Sequence, residues 1–325
     1  MDLDLKKISR PVENELDEFK IHFREAIRSK VALVDLVSKY ILRQKGKKIR
    51  PILVLLSAKL CGEIDRRTYT AATLVEMLHT ATLIHDDVVD DAKTRRGLAS
   101  INAVWKNKIA VLMGDYMLSR GLLLALENDE CGFLKITSRA VKRMSEGELL
   151  QIQKNRKFDV DEETYFRIIS DKTASLITAC CELGAASTSK DKSEIQLMSE
   201  FGENIGVAFQ LRDDLLDYIG KKKIMGKSSG SDLKEKKFTL PLIHSLNNSS
   251  KKEAKDIMNL VKNGSYSKSK NIVFDFIKEH NGIEYTISKT TEYCQTAKIR
   301  LEGFKPSETK ETMLKFVDFI SERVN

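Results

Sequence analysis

Proline and cysteine are both scarce in this sequence, and each shortage excludes a class of structure. Only four prolines occur, and none lies between Pro51 and Pro241, which is typical of long helices and not of a turn-rich β-sandwich. The five cysteines include no Cys-x-x-Cys pair, so neither a disulfide framework nor a zinc site is indicated. Reduced thiols in the cytosol are therefore the expected state.

Signals for secretion and for membrane insertion are also lacking. Residues 1–5 are acidic and are not followed by the apolar segment of a signal peptide. No continuous apolar run reaches the roughly 18 residues that a membrane span requires. The sequence therefore predicts a cytoplasmic protein.

The sequence does contain enough apolar residues for a large core. Of its 325 residues, 42% are hydrophobic and 31% are charged, which is typical of a globular protein. The 55 Lys and Arg residues outnumber the 47 Asp and Glu residues, so the net charge is +8. This excess allows an anionic partner. No face interleaves basic with aromatic residues, so nucleic acid is not a predicted partner.

Apolar residues recur at steps of three and four through most of the chain, and this spacing predicts helices. No sustained alternation of apolar and polar residues predicts a strand. Because no repeat or low-complexity linker divides the chain, we expect one all-α domain of long helices over residues 1–325. The predicted helices are 31–42, 51–60, 70–91, 109–126, 133–152, 164–186, 195–218 and 313–324.

The strongest chemical signal is an acidic cluster at the end of the helix predicted over 70–91. Asp86 and Asp90 are four residues apart, as are Asp87 and Asp91, so each pair shares a helix face. Like charges on one face repel, and the helix dipole disfavours acids at this end. Bound Mg²⁺, with a phosphate completing its ligand shell, would offset both effects.

A second acidic cluster repeats the Asp-Asp-x-x-Asp spacing near the end of another apolar helix. It consists of Asp213, Asp214 and Asp217. One such cluster could arise by chance, whereas two of them predict opposed walls of a single cavity. Mg²⁺ ions held between opposed carboxylates would bind a diphosphate strongly.

Basic residues occur where a diphosphate would need them. Lys47 and Arg50 lie at the predicted N-terminus of a helix, where free backbone N–H groups favour anions. Arg95 and Arg96 lie shortly after the first acidic cluster and are further candidates. His79 is another, since it lies two turns before the cluster on the same helix face.

Taken together, these clusters resemble the motifs of the trans-type polyprenyl diphosphate synthases. The stretch from His79 to Asp91 (HTATLIHDDVVDD), followed by Arg-Arg-Gly at 95–97, is similar to the first aspartate-rich motif of that family. Residues 209–217 (FQLRDDLLD) resemble the second motif. The segments 226–233 (GKSSGSDL) and 237–243 (KFTLPLI) resemble the region that follows it. The match runs in order from Gly46 to Ile243.

The resemblance implies an all-α fold of long helices around a deep cavity, usually in a homodimer. It also implies the condensation of isopentenyl diphosphate with an allylic diphosphate, which we expect to be farnesyl or geranylgeranyl diphosphate. About three Mg²⁺ ions would act with substrate bound. Their ligands would be Asp86, Asp87, Asp90, Asp213, Asp214 and Asp217.

The same resemblance assigns the substrate contacts. Isopentenyl diphosphate would contact Lys47, Arg50, His79 and Arg96. The allylic diphosphate would contact Arg95, Lys172, Thr173, Gln210, Lys227 and Lys237. The catalytic set would be Asp86, Asp87, Asp90, Asp213, Asp214 and Lys172. One departure is Lys236, which stands where the family often has glycine, so that both Lys236 and Lys237 are candidates for the phosphate contact.

Two small residues bear on product length. Ala81 and Thr82 lie about one turn before the first acidic cluster and should point down the cavity, where bulky aromatic residues stop growth early in the family. Because both are small, we expect a product of about 30 to 50 carbons, with the octaprenyl chain as the best single candidate. Met117 or Leu118 on the facing helix is expected to set the floor. Such a product suits quinone side chains, and its release implies at most peripheral membrane contact.

Two other functions compete with this interpretation. An HD-type metal phosphohydrolase would use His79, His85 and Asp86 as ligands, but only five histidines occur and the second cluster is all aspartate. A non-catalytic subunit of a heteromeric prenyl synthase would typically lack aspartates that this chain retains.

Overall fold

Helices make up nearly all the regular structure of the computed structural model, which describes residues 5–44, 46–219, 230–264 and 266–322. The chain divides into two compact units that are interleaved in sequence. Unit 1 contains Met1–Arg139, Ala179–Ser199 and Phe304–Met313, and unit 2 contains Ala140–Thr178, Glu200–Gly303 and Leu314–Asn325. The all-α prediction is confirmed, and the single domain over residues 1–325 stays a prediction.

The helices are numbered in chain order. Those up to residue 157 are α1 (Leu5–Ser9), α2 (Glu13–Ala26), α3 (Ala32–Arg43), α4 (Ile49–Cys61), α5 (Arg66–Val89), α6 (Ile101–Glu127) and α7 (Cys131–Lys157), with a 3₁₀ turn at Arg10–Val12. Those that follow are α8 (Glu162–Ile169), α9 (Ser175–Thr188), α10 (Lys192–Ile219), α11 (Ser231–Lys234), α12 (Leu240–Asn247), α13 (Lys251–Asn263), α14 (Tyr266–Glu279), α15 (Gly282–Leu301) and α16 (Glu308–Glu322).

Helix α5 is the central helix of unit 1. The side chain of Asp65 caps it by accepting hydrogen bonds from the backbone N–H groups of Arg67 and Thr68, which satisfies donors that a helix start leaves unpaired. Most residues of α5 are buried, so it packs on several faces. The first acidic cluster thus lies at the C-terminal end of a helix that is mostly buried.

Helices α5 and α6 are antiparallel and approach closely at two glycines of α6. A methyl group added at Gly114 would lie 2.1 Å from Nε2 of His85, and one at Gly121 would lie 3.2 Å from Cδ1 of Leu74. A larger residue at Gly114 would therefore have to displace the ring of His85. These two contacts fix how the helices are aligned along their length.

Unit 2 has its own apolar core, built from α8, α10, α12 and α14. Tyr165, Leu211, Phe238, Ile243 and Ile277 are among its buried members. Two of these elements, α8 and α10, also carry polar side chains toward the candidate site. The core therefore holds the site's backbone in place.

Two departures from the sequence-based prediction involve segments that carry candidate site residues. A two-stranded antiparallel hairpin, β1 (Thr94–Arg95) with β2 (Leu98–Ala99), occurs where no strand was predicted. Strands of two residues are too short to show an alternating pattern. The helix predicted over 164–186 is interrupted by a π turn at Ser170–Ala174. A π turn keeps the chain helical, so the apolar spacing does not reveal it.

Helix α6 corrects the expectation that no segment is apolar enough to span a membrane. Within the described ranges, it alone has the length and composition to do so, with a mean hydropathy of 1.6 over its most apolar 18 residues. A core helix passes the same test, and α6 buries Met113, Met117 and Ala125. Only 33% of the apolar window is buried, however, so much of this helix is exposed in the single chain.

Candidate functional site

The first acidic cluster lies at the end of α5, with Asp90 as the C-cap residue. Asp87 is buried, and its Oδ1 accepts two hydrogen bonds from Arg95, at 2.8 Å from Nε and 2.5 Å from Nη2. A buried carboxylate requires such a partner. Asp86 and Asp90 are exposed. The structure thus brings the predicted Arg95 to the first cluster and leaves two carboxylates facing outward.

The hairpin explains how two consecutive arginines reach this site. Its turn residues Arg96 and Gly97 both have positive φ, at 52° and 79°, as in the tight turns that match strand twist. The turn carries Arg96 to the loop before α4. A methyl group added at Gly46 would lie 2.3 Å from Nη1 of Arg96, so the lack of a side chain at Gly46 permits this approach.

His79 lies inside this cationic cluster. Its Nε2 is 2.9 Å from Nη1 of Arg50 and 3.5 Å from Nη2 of Arg96. A guanidinium can only donate, so Nε2 accepts. Burial, followed by the charges of Arg50 and Arg96, lowers the pKa of His79 to about 2. The imidazole is therefore neutral and adds no positive charge to the arginines that it orients.

Arg50 has donor capacity left for a ligand. Its Nε is buried, and no described residue accepts a hydrogen bond from it. Burial lowers the pKa of Arg50, as expected for a cation without a full set of partners. Lys47 is exposed in the loop before α4. The next residue, Lys48, has a left-handed backbone and forms an ion pair of 3.0 Å with buried Glu76.

Unit 2 contains a cavity of about 450 Å³ at the second acidic cluster. Its lining includes the apolar residues Val160, Ile168, Ile169 and Phe238. All the predicted site residues of unit 2 that the structure describes line it: Lys172, Thr173, Gln210, Asp213, Asp214, Asp217 and Lys237. Lys227, also predicted, lies outside the described residues.

A chain of hydrogen bonds crosses the cavity wall and ends on Asp214. The hydroxyl of Thr173 donates to Oε1 of Gln210 at 3.0 Å, and Nε2 of Gln210 donates to Oδ1 of Asp214 at 2.7 Å. The hydroxyl of Tyr165 donates to the other oxygen of Asp214 at 2.5 Å. The orientations of Gln210 and Asp214 are thereby fixed from both sides.

The carboxylates of this cavity favour a cation. Burial, followed by the charge of Asp232, raises the pKa of Asp214 to about 7. Burial, followed by the charge of Asp217, raises the pKa of Asp232 to about 6. Hard oxygen donors of this kind suit Mg²⁺. Among the described residues no three His, Cys, Asp or Glu side chains form a metal site by themselves, so oxygens from a diphosphate or from water would have to complete the shell.

Lys172 and Thr173 are presented by the π turn at Ser170–Ala174. Arg143 holds this turn in place, since its Nε donates to Asp171 at 2.7 Å and its other nitrogens donate to Glu203 at 2.9 and 3.0 Å. The ammonium of Lys172 lies 2.5 Å from a carboxylate oxygen of Glu148. The ion pair keeps this lysine at the cavity wall.

The structure distinguishes the two candidate lysines of the segment after the second cluster. Lys237 lines the cavity. Burial alone would lower the pKa of Lys237, but the hydrogen bond to Glu235 and nearby carboxylates raise it overall, so the group is cationic. Lys236 instead donates to the backbone oxygen of Lys262 at 2.7 Å. Its φ of +56° explains why glycine suits this position.

Three features of the site were missed by sequence reasoning. Tyr165 and Asp232 line the cavity of unit 2, and the pair of Lys48 with Glu76 supports the loop before α4. Asp232 lies inside the family-like segment, and that position was the available signal. Tyr165 gave none, because an aromatic residue in an amphipathic helix is ordinarily a core residue.

Fold and site together define a class: an all-α protein whose clustered carboxylates and arginines suit a metal-bound diphosphate. The family model described as polyprenyl synthetase matches residues 31–276. The chain is 35% identical over 326 residues, and 100% of both chains, to an all-trans-nonaprenyl-diphosphate synthase (geranyl-diphosphate specific) of Rhodobacter capsulatus. It is 32% identical to the octaprenyl diphosphate synthase of Escherichia coli, over 96% of this chain and 97% of that protein.

A solved structure agrees with these matches. The polyprenyl synthase of Caulobacter crescentus, complexed with calcium and isoprenyl diphosphate, superposes with a TM-score of 0.88 at 30% identity over 98% of both chains. The chain therefore belongs to the polyprenyl synthetase family. It is a trans-polyprenyl diphosphate synthase, an enzyme that transfers prenyl groups.

The neutral His79 predicts a pH-dependent stability. Folded His79 stays unprotonated, whereas in the unfolded chain it binds a proton as the pH falls through 6.5, its ordinary pKa. Stability is thus retained above that value and lost below it. Between about pH 7.5 and pH 5.5, wild type should lose about 1.4 kcal/mol more unfolding free energy than His79→Gln. Urea unfolding at both pH values measures this, and equal losses would contradict it.

The two lysines predict opposite outcomes on substitution. Lys237→Gln removes a cation from the cavity and should lower kcat/KM at least about 100-fold. Lys236→Gly relieves a left-handed backbone and should keep kcat/KM within about twofold of wild type. Steady-state kinetics of both variants under one assay measures the difference. A larger loss in Lys236→Gly would mean that Lys236 makes the phosphate contact.

Proposed function

We propose that this enzyme condenses isopentenyl diphosphate with an allylic diphosphate, farnesyl or geranylgeranyl, to make a long all-trans polyprenyl diphosphate. The observation that carries the proposal is the cavity of about 450 Å³, whose lining combines carboxylates, Lys172 and Lys237 with apolar residues. A diphosphate suits the charged and polar residues of such a lining, and a prenyl chain suits the apolar ones. An HD-type phosphohydrolase has no need of the apolar residues.

The carboxylates that we propose as Mg²⁺ ligands are those of both acidic clusters: Asp86, Asp87, Asp90, Asp213 and Asp214. Exposed Asp86, Asp90 and Asp213 are accessible to a substrate-borne cation. Bound Mg²⁺, which we propose as about three ions, would neutralise negative charge that develops on the departing diphosphate.

The cationic and polar side chains are proposed to bind the two diphosphates. Lys172, Lys237, Thr173, Gln210 and Arg95 would contact the allylic diphosphate. Their donors are already held by neighbouring residues, so little reorganisation accompanies charge development, and this favours electrostatic stabilisation of the leaving group. Lys227, outside the described residues, is proposed for the same diphosphate.

For isopentenyl diphosphate we propose Arg50, Arg96, Lys47 and His79. The buried Nε of Arg50 is available as a donor, and neutral His79 orients the guanidinium through Nε2. The carbon–oxygen bond to diphosphate would break first, and the isopentenyl double bond would then attack the resulting allylic cation. The departing diphosphate would accept the proton that is lost, so no side-chain base is required. Apolar walls would exclude water from the cation.

For product length we propose that Ala81 and Thr82 line the path of the growing chain. The contacts of α5 with α6 at Gly114 and Gly121 imply that Ala81 is level with about Met117, since the helices are antiparallel and rise about 1.5 Å per residue. Met117 is fully buried and is therefore a reasonable floor. The small residues at 81 and 82 support a long product, with the octaprenyl chain as our specific proposal.

For oligomeric state we propose a homodimer formed through α6. The backbone of α6 is non-helical at Lys106. Beyond that kink, its exposed apolar residues recur at spacings that place them on one helix face: Val111, Leu112, Leu122, Leu123 and Leu126. A second copy would cover this face, and a sedimentation mass of twice 36.9 kDa is the expected observation. We further propose a cytoplasmic location and use of the product in quinone side chains.

The activity assay uses purified protein, Mg²⁺, farnesyl diphosphate and labelled isopentenyl diphosphate, with products sized by chromatography. Diphosphate release should require both substrates and Mg²⁺, and it should be lost on chelation. Release from farnesyl diphosphate alone would indicate a phosphohydrolase. Absence of product, regained when a second chain is added, would indicate a subunit of a heteromeric synthase.

The same assay predicts the effect of filling the path beneath the first cluster. Ala81→Phe combined with Thr82→Phe should shorten the product by at least about two prenyl units, because each ring occupies the volume of several methylene groups. Ala81→Ser with Thr82→Ser is the matched control and should keep the wild-type length. An unchanged length in the phenylalanine variant would exclude these residues from the path.

A further inference from the structure

The third aspartate of the second cluster is engaged differently from the other two. Asp217 is only 2% exposed. Its Oδ1 accepts a hydrogen bond from the backbone N–H of Gly230 at 3.0 Å, and its Oδ2 accepts one from the backbone N–H of Asp232 at 3.0 Å. The backbone oxygen of Asp217 also lies 3.0 Å from the N–H of Gly230. One residue of α10 thus holds two residues of the segment that follows.

That segment, residues 230–238, is compact and is fixed at both ends. Gly230 has a φ of +88°, and the N–H of Lys237 donates to the backbone oxygen of Asp232 at 2.8 Å. Leu233 and Phe238 are buried in the core of unit 2. Because the backbone is held in this way, moving Gly230 or Asp232 would move the whole segment.

Two side chains of the segment face the cavity. Asp232 and Lys237 both line it, with Nζ of Lys237 4.0 Å from Oδ1 of Asp232. Neither residue is placed there by the spacing of the acidic cluster. The backbone N–H groups of Gly230 and Asp232 donate to Asp217, and these hydrogen bonds join the segment to the end of α10.

Asp214 differs from Asp217 in the kind of hydrogen-bond donor that it meets. Asp213 is exposed, and the donors to Asp214 are the side chains of Tyr165 and Gln210. Side-chain donors can rotate to admit a cation, whereas backbone donors move only with their segment. A cation on Asp217 would compete with two backbone N–H groups that would then lack an acceptor.

We propose that Asp217 is a positioning residue rather than a metal ligand: it fixes residues 230–238 so that Asp232 and Lys237 face the diphosphate. The Asp-Asp-x-x-Asp cluster then has two parts, a cation-facing pair and an anchor one turn later. This inference rests on the proposed function for the identity of the ligand. It revises the expectation that all three aspartates bind Mg²⁺.

The first test is hydrogen exchange on the full chain without Mg²⁺ or substrate. Asp217→Asn places a donor where a backbone N–H now finds an acceptor, so amides of residues 230–238 should exchange at least about tenfold faster. Asp213→Asn is the matched control, with the same charge change in the same cluster, and should leave those amides unchanged. Unchanged exchange in Asp217→Asn overturns the proposal.

The second test separates anchoring from metal binding in the active enzyme. Asp217→Asn should raise KM for the allylic diphosphate about tenfold or more while its half-saturating Mg²⁺ concentration stays within about twofold of wild type. Asp213→Asn should raise the Mg²⁺ requirement. The Asp217→Asn and Asp232→Asn changes should be non-additive, since both act through one segment. An Mg²⁺ requirement raised in Asp217→Asn as much as in Asp213→Asn overturns the proposal.

A second variant reaches the segment from its other side. Gly230→Ala strains a backbone that favours glycine and leaves Asp217 intact, so it should reproduce faster exchange and a raised KM without a raised Mg²⁺ requirement. If Asp217→Asn fails to fold, the Gly230→Ala variant tests the proposal in its place. A raised Mg²⁺ requirement in Gly230→Ala, or unchanged hydrogen exchange of residues 230–238, overturns the proposal. Wild-type protein without prenyl transfer would instead refute the proposed function, while the exchange measurement would still report on the anchor.

Discussion

Repulsion between carboxylates in partly buried surroundings is the constraint on which the local structure of the site depends. Taking an ionised carboxylate out of water is unfavourable unless a cation or hydrogen-bond donors replace the water. At the end of α5 this is achieved by Arg95, which pairs with Asp87. At the end of α10 donors from Tyr165 and Gln210 act on Asp214, yet its pKa remains raised. These two donors therefore do not fully offset the cost of burying the Asp214 carboxylate.

Irregular backbone positions several cationic side chains of the candidate site. Arg96 lies in a turn with positive φ, Lys172 lies in a π turn, and Lys237 follows a residue in the left-handed region. Such conformations are less favourable than regular helix and persist where surrounding contacts hold them. Here the contacts are specific: Arg143 holds the π turn, and Asp217 holds the segment that carries Lys237.

Most of the fold could be predicted from the sequence because helices follow from local spacing. The end of α5 and the end of α10 were located correctly, since i,i+4 pairs of aspartate depend only on positions within one helix. The hairpin at Thr94–Ala99 and the π turn were missed. A two-residue strand has no period to detect, and a π turn leaves the helical period nearly unchanged.

The sequence by itself determined the helical class, the two acidic clusters and the family, because each depends on residues close together along the chain. Only the tertiary structure decided that Lys237 and not Lys236 faces the cavity, that Tyr165 donates to Asp214, and that Asp217 binds backbone N–H groups. The physical reason is that these contacts join separate segments. Their geometry is set by how the core of unit 2 packs, and the spacing of residues along the chain does not specify that packing.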